Sequence, residues 1–304
     1  MGFFVWLFHR RKKQLALAEA RGHTITASVR QQTGSLRRFL EDSDYLLPKD
    51  AEEEYRLNFQ HYALYHAIGN HYVAPLHSTP RLILDVGAGT GIWASEVAHL
   101  FPQATVLGVD IDGSLFRPEV PENCLLRTGN VLTGLPFPDQ LFSYTHQRLL
   151  VAAITSANWP RVVHELVRVT RVGGWVEMVE IDNQIQNAGP ATARLMSRLE
   201  QVSKDLGFDG EPVRHLGDML TSQGLQAVEM QAIPIPVGEW GGRVGSLMKQ
   251  DLLKVIEAVK SIYCQRGRIA PDEFDRMVRS MAAEWEQYHA SCTFFAAFGK
   301  RVQA

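Results

Sequence analysis

The chain has 304 residues, a formal net charge of −2, 45% hydrophobic and 21% charged residues, which fits one large soluble domain or two small ones. That charge excludes the global basic field needed to hold a nucleic-acid backbone, so no nucleic-acid partner is expected. Three scattered cysteines, Cys124, Cys264 and Cys292, make neither a disulfide framework nor a zinc spacing, so the expectation is a reducing, cytoplasmic compartment and no metal site.

Residues 2–8 are apolar and are followed by His9-Arg-Arg-Lys-Lys13. The run is far short of the ~20 residues a membrane span needs. Its charges also lie on the wrong side for a secretory signal. Two readings remain: an interfacial membrane anchor with the basic cluster on anionic headgroups, or a helix packed on the domain or on a second copy in a homodimer. Packing is the simpler of the two. Residues 14–40 mix basic and small side chains and are expected to be partly helical. After Pro48, Asp50 is placed to cap a helix whose first turn holds Glu52, Glu53 and Glu54 and which runs to about Val73. His61, Tyr65, Ile68 and Tyr72 share one face of it, facing either a ligand or the core.

The most informative stretch is 81–98. An apolar run ends in Asp85, then comes Gly87-Ala88-Gly89-Thr90-Gly91, then a helical pattern over 92–100. Glycines let a ligand approach the backbone, and the helix start behind them offers unpaired N–H groups. A dinucleotide fingerprint wants its third glycine one residue later. The acid before the loop also repels a pyrophosphate and suits a cationic amino group, such as the ammonium of S-adenosylmethionine. A second strand, 105–109, leads to Asp110, whose carboxylate can accept both hydroxyls of a ribose. Ile111 beside it can cover one face of a base.

Residues 111–123 contain Pro118 and Pro121 and are too short for a crossover helix, so an extended or single-turn connection is expected. Strands follow at 124–128, before Gly129-Asn130-Val131, and at 141–145, before His146 and Gln147. Ligands of open α/β sheets bind beyond the carboxyl ends of the strands, which puts Thr145, His146 and Gln147 near the reacting group. His146 is the candidate catalytic residue, as proton acceptor or substrate-orienting group, because an imidazole titrates near neutrality. Asn158 is placed to cap a helix ending at Val172-Gly173-Gly174. Strand 175–181, helices 191–206 and 212–222, strand 225–235 and a last strand 292–300 complete the pattern. A segment over 238–290 carries two further helical patterns, read as a lid or a dimer interface.

Asp85-Val-Gly-Ala-Gly-Thr-Gly91, Gly108-Val-Asp110 and Gly173-Gly-Trp-Val-Glu177 resemble the motifs of class I S-adenosylmethionine-dependent methyltransferases. Glu52-Glu-Glu-Tyr-Arg-Leu-Asn-Phe-Gln-His61, Gly91-Ile-Trp-Ala94 and Val120-Pro-Glu-Asn-Cys124 are similar to a small-molecule group that includes fungal regulators of secondary metabolism. The resemblance implies a Rossmann-like α/β fold: a seven-stranded, mostly parallel sheet with an antiparallel last strand and helices on both faces. The divisions are an extension over 1–44, a core over 45–237, a helical lid over 238–290 and the final core strand over 291–304.

The resemblance further implies that Asn130 and Val131 bind the adenine, with Asn130 where relatives carry Asp. Arg56 would reach the methionine carboxylate, and His61, Tyr62 or Tyr65 would face the acceptor. The activity implied is in-line methyl transfer from S-adenosyl-L-methionine to an oxygen, nitrogen or carbon of a small molecule, leaving S-adenosyl-L-homocysteine. The alternative is a regulatory or scaffold protein that binds the donor without transferring its methyl.

Overall fold

The computed structural model describes residues 29–31, 38–40, 47, 51–76 and 79–303. The apolar and basic run over 1–13 and the Asp50 cap lie outside the described residues. Two short strands, β1 (Val29–Gln31) and β2 (Arg38–Leu40), pair antiparallel where a partly helical segment was expected. Helix α1 (Ala51–Ile68) stops five residues before Val73. Gly69 takes φ +75°, and its N–H bonds to the Tyr65 carbonyl at 2.8 Å, a left-handed helix end that releases Tyr72 from the helix.

The main sheet has the order β5-β4-β3-β6-β7-β9-β8. Its parallel part is β3 (Leu82–Val86), β4 (Thr105–Asp110), β5 (Cys124–Thr128), β6 (Phe142–Arg148) and β7 (Thr170–Gln186). Strand β9 (Ser291–Lys300) runs antiparallel between β7 and β8 (Gln226–Pro236), so the last strand is antiparallel as expected. The chain runs outward from β3 to β4 and β5, then returns to lay β6 on β3's other edge. That reversal between β3 and β6 is where open α/β sheets bind ligands.

Helix α2 (Ile92–Leu100) and the single 3₁₀ turn Gly113–Leu115 stand where the sequence puts them. Other boundaries shift for tertiary reasons. Strand β6 continues to Arg148, because Gln147 pairs with Val86 of β3 and Arg148 with Val179 of β7. Helix α3 (Trp159–Val169) ends before Val172, and Thr170 already pairs with Phe142. Asn158 makes no side-chain cap; its Nδ2 donates to Thr155 Oγ1 at 2.8 Å. Strand β7 outruns the expected 175–181 because β9 accompanies it to Gln186.

Side chains alternate across the strands. Leu84 and Val86 join Trp159, Val162 and Leu166 of α3 and Leu216 of α5 (Leu216–Ser222) in one core. Ile83 joins Trp93 and Val97 of α2 in a second. A third gathers Val179 and Phe294 with Leu64 of α1, Leu195 of α4 (Pro190–Asp205), Met248 of α6 (Gly242–Gly267) and Trp285 of α7 (Pro271–Gln287). The segment over 238–290 is thus two helices, α6 packed on α1 and α7 on α4. Among the described residues no helix is long and apolar enough to cross a membrane.

One buried carboxyl shapes the chain leaving β6. Glu180 of β7 accepts the N–H groups of Leu150 (2.7 Å) and Val151 (3.1 Å) and the Gln147 Nε2. Burial pushes its carboxyl from 4.5 up to about 7. Between those values the folded chain binds more protons than the unfolded one, so this contribution to stability is full below 4.5 and is lost as pH rises through about 7. Glu180→Gln should therefore flatten the fall in stability across this window, on the order of 3 kcal/mol relative to wild type. Urea unfolding at stepped pH measures it; an unchanged slope contradicts the assignment. Phe294→Ala, in the core beneath the chamber helices, should cost ~3–5 kcal/mol in the same assay.

Candidate active site

The loop after β3 is lashed to β4. Gly87 and Ala88 both donate their N–H to the Val109 carbonyl, at 2.8 and 3.0 Å. Gly91 starts α2 at φ +78°, and a Cβ there would lie 2.6 Å from Leu126 Cδ1, so the position needs glycine for its conformation and for space. The Asp110 carboxylate braces the loop from the end of β4: Oδ2 accepts the Gly89 N–H at 2.8 Å and Oδ1 the Asp112 N–H at 3.2 Å.

These pieces border a cleft of about 200 Å³. Gly87, Ala88, Gly89 and Thr90 line it from the loop, Asp110 and Ile111 from the end of β4, and Asn130 and Val131 from the turn after β5. Asn130 Oδ1 accepts the Leu132 N–H at 2.8 Å, which fixes its amide. A carboxylate at a strand end, apolar side chains from Ile111, Val131 and Ile154, and a glycine-rich loop suit a nucleoside carrying an amino-acid tail. The residues present therefore fit S-adenosylmethionine.

Other expected site residues stand elsewhere. Because β6 runs on to Arg148, Thr145, His146 and Gln147 lie inside the sheet and do not line the cleft. His146 is buried, its ring stacked on Trp93 with centroids 3.7 Å apart and its Nδ1 2.9 Å from Asp85 Oδ1. Asp85 is thereby engaged behind the loop, not at the cleft. Thr145 accepts the Thr170 hydroxyl at 2.7 Å, and Gln147 bonds to Glu180. The structure thus places His146 at the junction of β3, β6 and α2, away from the cleft lining.

Helix α1 is turned over relative to expectation. Its inward face carries Glu53, Arg56, Gln60 and Leu64, while Tyr62 and Tyr65 are exposed. Arg56 donates to Glu53 through Nε and Nη2 (2.8 and 2.6 Å) and to Asp251 Oδ1 through Nη1 (2.7 Å), so it faces α6, not the cleft. His61 is buried, 2.8 Å from Glu96 through Nε2, and its Nδ1 accepts from Arg148 Nη2 at 2.7 Å. Burial lowers the His61 pKa to about 4, which leaves it neutral near pH 7. An apolar stripe usually marks the core face; here α1 instead turns a polar row, Glu53, Arg56 and Gln60, toward an interior walled mostly by apolar side chains.

That interior is a second cavity, about 500 Å³, beside the first. Leu57 and Gln60 of α1, Leu149 after β6, Ile181 of β7, Met196 of α4 and Val255 of α6 are among its walls. Its deepest polar group is Asp251, buried, whose Oδ2 accepts from Gln60 Nε2 at 3.1 Å and whose carboxyl burial pushes upward. Leu57, Gln60 and Leu149 line both cavities. Sequence reasoning missed these residues and Arg148. No local pattern in 141–148 signals that β6 runs on; its pairing with β3 and β7 decides it.

Residues 83–174 match a family model described as a methyltransferase domain. The chain is 25% identical to the N-methyltransferase gliN of Aspergillus fumigatus, over 86% of this chain and 97% of that protein. It is 30% identical to the N-methyltransferase sirN of Leptosphaeria maculans, over 71% of this chain and 79% of that protein. In fold it is similar to phosphoethanolamine N-methyltransferase 2 of Haemonchus contortus, solved in complex with S-adenosyl-L-methionine, at TM-score 0.50 and 14% identity over 88% of this chain and 62% of that one. By the sirN match, carried over the loop, strands and cleft described above, the chain belongs to the methyltransferase-domain family and is an S-adenosylmethionine-dependent methyltransferase.

Proposed function

We propose that the glycine-loop cleft holds S-adenosylmethionine and that the larger cavity takes a small, largely apolar acceptor, with methyl transfer across the wall the two cavities share. The observation that carries this reading is that Leu57, Gln60 and Leu149 belong to both cavities. When bound, the donor supplies an electrophilic methyl on a sulfonium that leaves as the thioether of S-adenosylhomocysteine. Asp110 accepts from the ribose hydroxyls, and Ile111 and Val131 flank the base. On the acceptor side, Asp251 takes a hydrogen bond from Gln60 Nε2, which turns the Gln60 carbonyl edge the other way. That edge can accept from an acceptor N–H or O–H and so aim its lone pair.

Alignment and exclusion of water then supply most of the acceleration, because the leaving group needs no assistance. The names of gliN and sirN, both N-methyltransferases, support nitrogen as the acceptor atom. Helices α6 and α7 serve as the cover that sets acceptor choice. A cavity of this size beside the cleft favours methyl transfer over a role confined to donor binding and regulation.

Two variants separate the halves of the site. Asp110→Ala should weaken S-adenosylhomocysteine binding roughly 10- to 100-fold, the range for a hydrogen bond to a charged group, as measured by calorimetry. Val255→Trp should push a bulky indole into the acceptor cavity. It should leave that affinity within about threefold, yet abolish transfer from methyl-labelled donor to any secondary amine, amide or phenol that the wild type methylates. Transfer persisting in Val255→Trp, or donor binding lost with it, contradicts the division of labour.

A further inference from the structure

Arg148 is the last residue of β6, at the carboxyl end of the sheet, and lines the donor cleft beside Gly87 and Leu150. A guanidinium carries five N–H donors and a permanent charge. Its hydrogen bond among the described residues is to a neutral ring, His61 Nδ1. Two carboxylates, Asp85 and Glu96, are near enough to act on its charge, but Asp85 bonds to His146 and Glu96 to His61. By contrast, Arg56 is held by Glu53 and Asp251. The cleft therefore offers one cation whose own partner is uncharged, placed where the first loop meets the turn after β6.

The group behind Arg148 holds it in that position. Arginine cannot accept a hydrogen bond, so His61 Nδ1 accepts, and the ring proton sits on Nε2 and is donated to Glu96 Oε2. His61, His71 and Glu96 have ligand atoms within 4.8 Å of one another, a spacing that suits a metal. The tautomer imposed by Arg148 leaves His61 Nε2 without a lone pair for one. The cluster works instead as a brace: Glu96 orients His61, and His61 orients the guanidinium.

We propose that Arg148 is the anchor for the carboxylate of the donor's amino-acid tail, the role the family resemblance implied for Arg56; this rests on the cleft being the donor site. A carboxylate accepts two parallel N–H bonds from a guanidinium, a pairing stronger and more directional than a single neutral bond. Burial lowers the Arg148 pKa to about 10, and an anionic ligand offsets that loss of solvation.

The test is a calorimetric comparison of S-adenosylhomocysteine with its decarboxylated analogue, S-adenosyl-3-thiopropylamine, on wild type, Arg148→Ala, Arg148→Lys and Arg56→Ala. Wild type should prefer the carboxylate ligand by roughly 10- to 100-fold. Arg148→Ala should bind the two alike, with the loss confined to S-adenosylhomocysteine, and Arg148→Lys should restore part of the preference. Arg56→Ala should keep it. The preference is a ratio within one protein, so it does not depend on variants being equally stable. Retention of the preference in Arg148→Ala, its loss in Arg56→Ala, or equal binding of both ligands by wild type overturns the proposal. Failure of wild type to bind either ligand rejects the cleft itself, and the anchor with it.

Discussion

The Glu180 carboxyl fixes the path of the chain as it leaves β6, and both cavities depend on that path. Its grip on the Leu150 and Val151 amides turns the backbone so that Leu149 borders both cavities, Leu150 the glycine-loop cleft and Val151 the larger cavity. A buried carboxyl is costly unless hydrogen bonds satisfy it. Glu180 meets that condition with two backbone amides and one side chain, and so holds a turn that lacks regular secondary structure.

Helix α1 is the second constraint. It buries a salt-bridged and hydrogen-bonded face, Glu53, Arg56 and Gln60, against Asp251 of α6. An interior ion pair is at best a modest source of stability, but it is directional. It sets the rotation and depth of α1 against α6, which places Gln60 at the junction of the cavities. Turning the polar face inward puts Tyr62 and Tyr65 outside and His61 behind Arg148. One helix thus borders both cavities, through Leu57 and Gln60.

The glycine loop, Asp110 and Ile111 were legible in the sequence, because local spacing determines them: a buried strand, a tight turn and a helix start within a few residues; Asn130 entered through the family resemblance. The seven-stranded, mostly parallel sheet and its antiparallel last strand followed from the family resemblance carried by those motifs; the strand order did not. The acceptor-side residues were not legible. Whether β6 ends at Thr145 or at Arg148 depends on its neighbours β3 and β7, which no local pattern in 141–148 reveals. The inward face of α1 was misread because aromatic periodicity usually marks the core, whereas here Asp251, nearly two hundred residues away, makes the polar face the buried one. His146 illustrates the same limit: its type suits catalysis, but its stacking on Trp93 and its bond to Asp85 are long-range facts.

The most direct test of the account is a crystal structure of the complex with S-adenosylhomocysteine. The account predicts the ribose hydroxyls at Asp110, the base between Ile111 and Val131, and the sulfur turned toward the wall of Leu57, Gln60 and Leu149. An S-adenosylhomocysteine molecule lying in the larger cavity, or one whose sulfur points away from that wall, would contradict it.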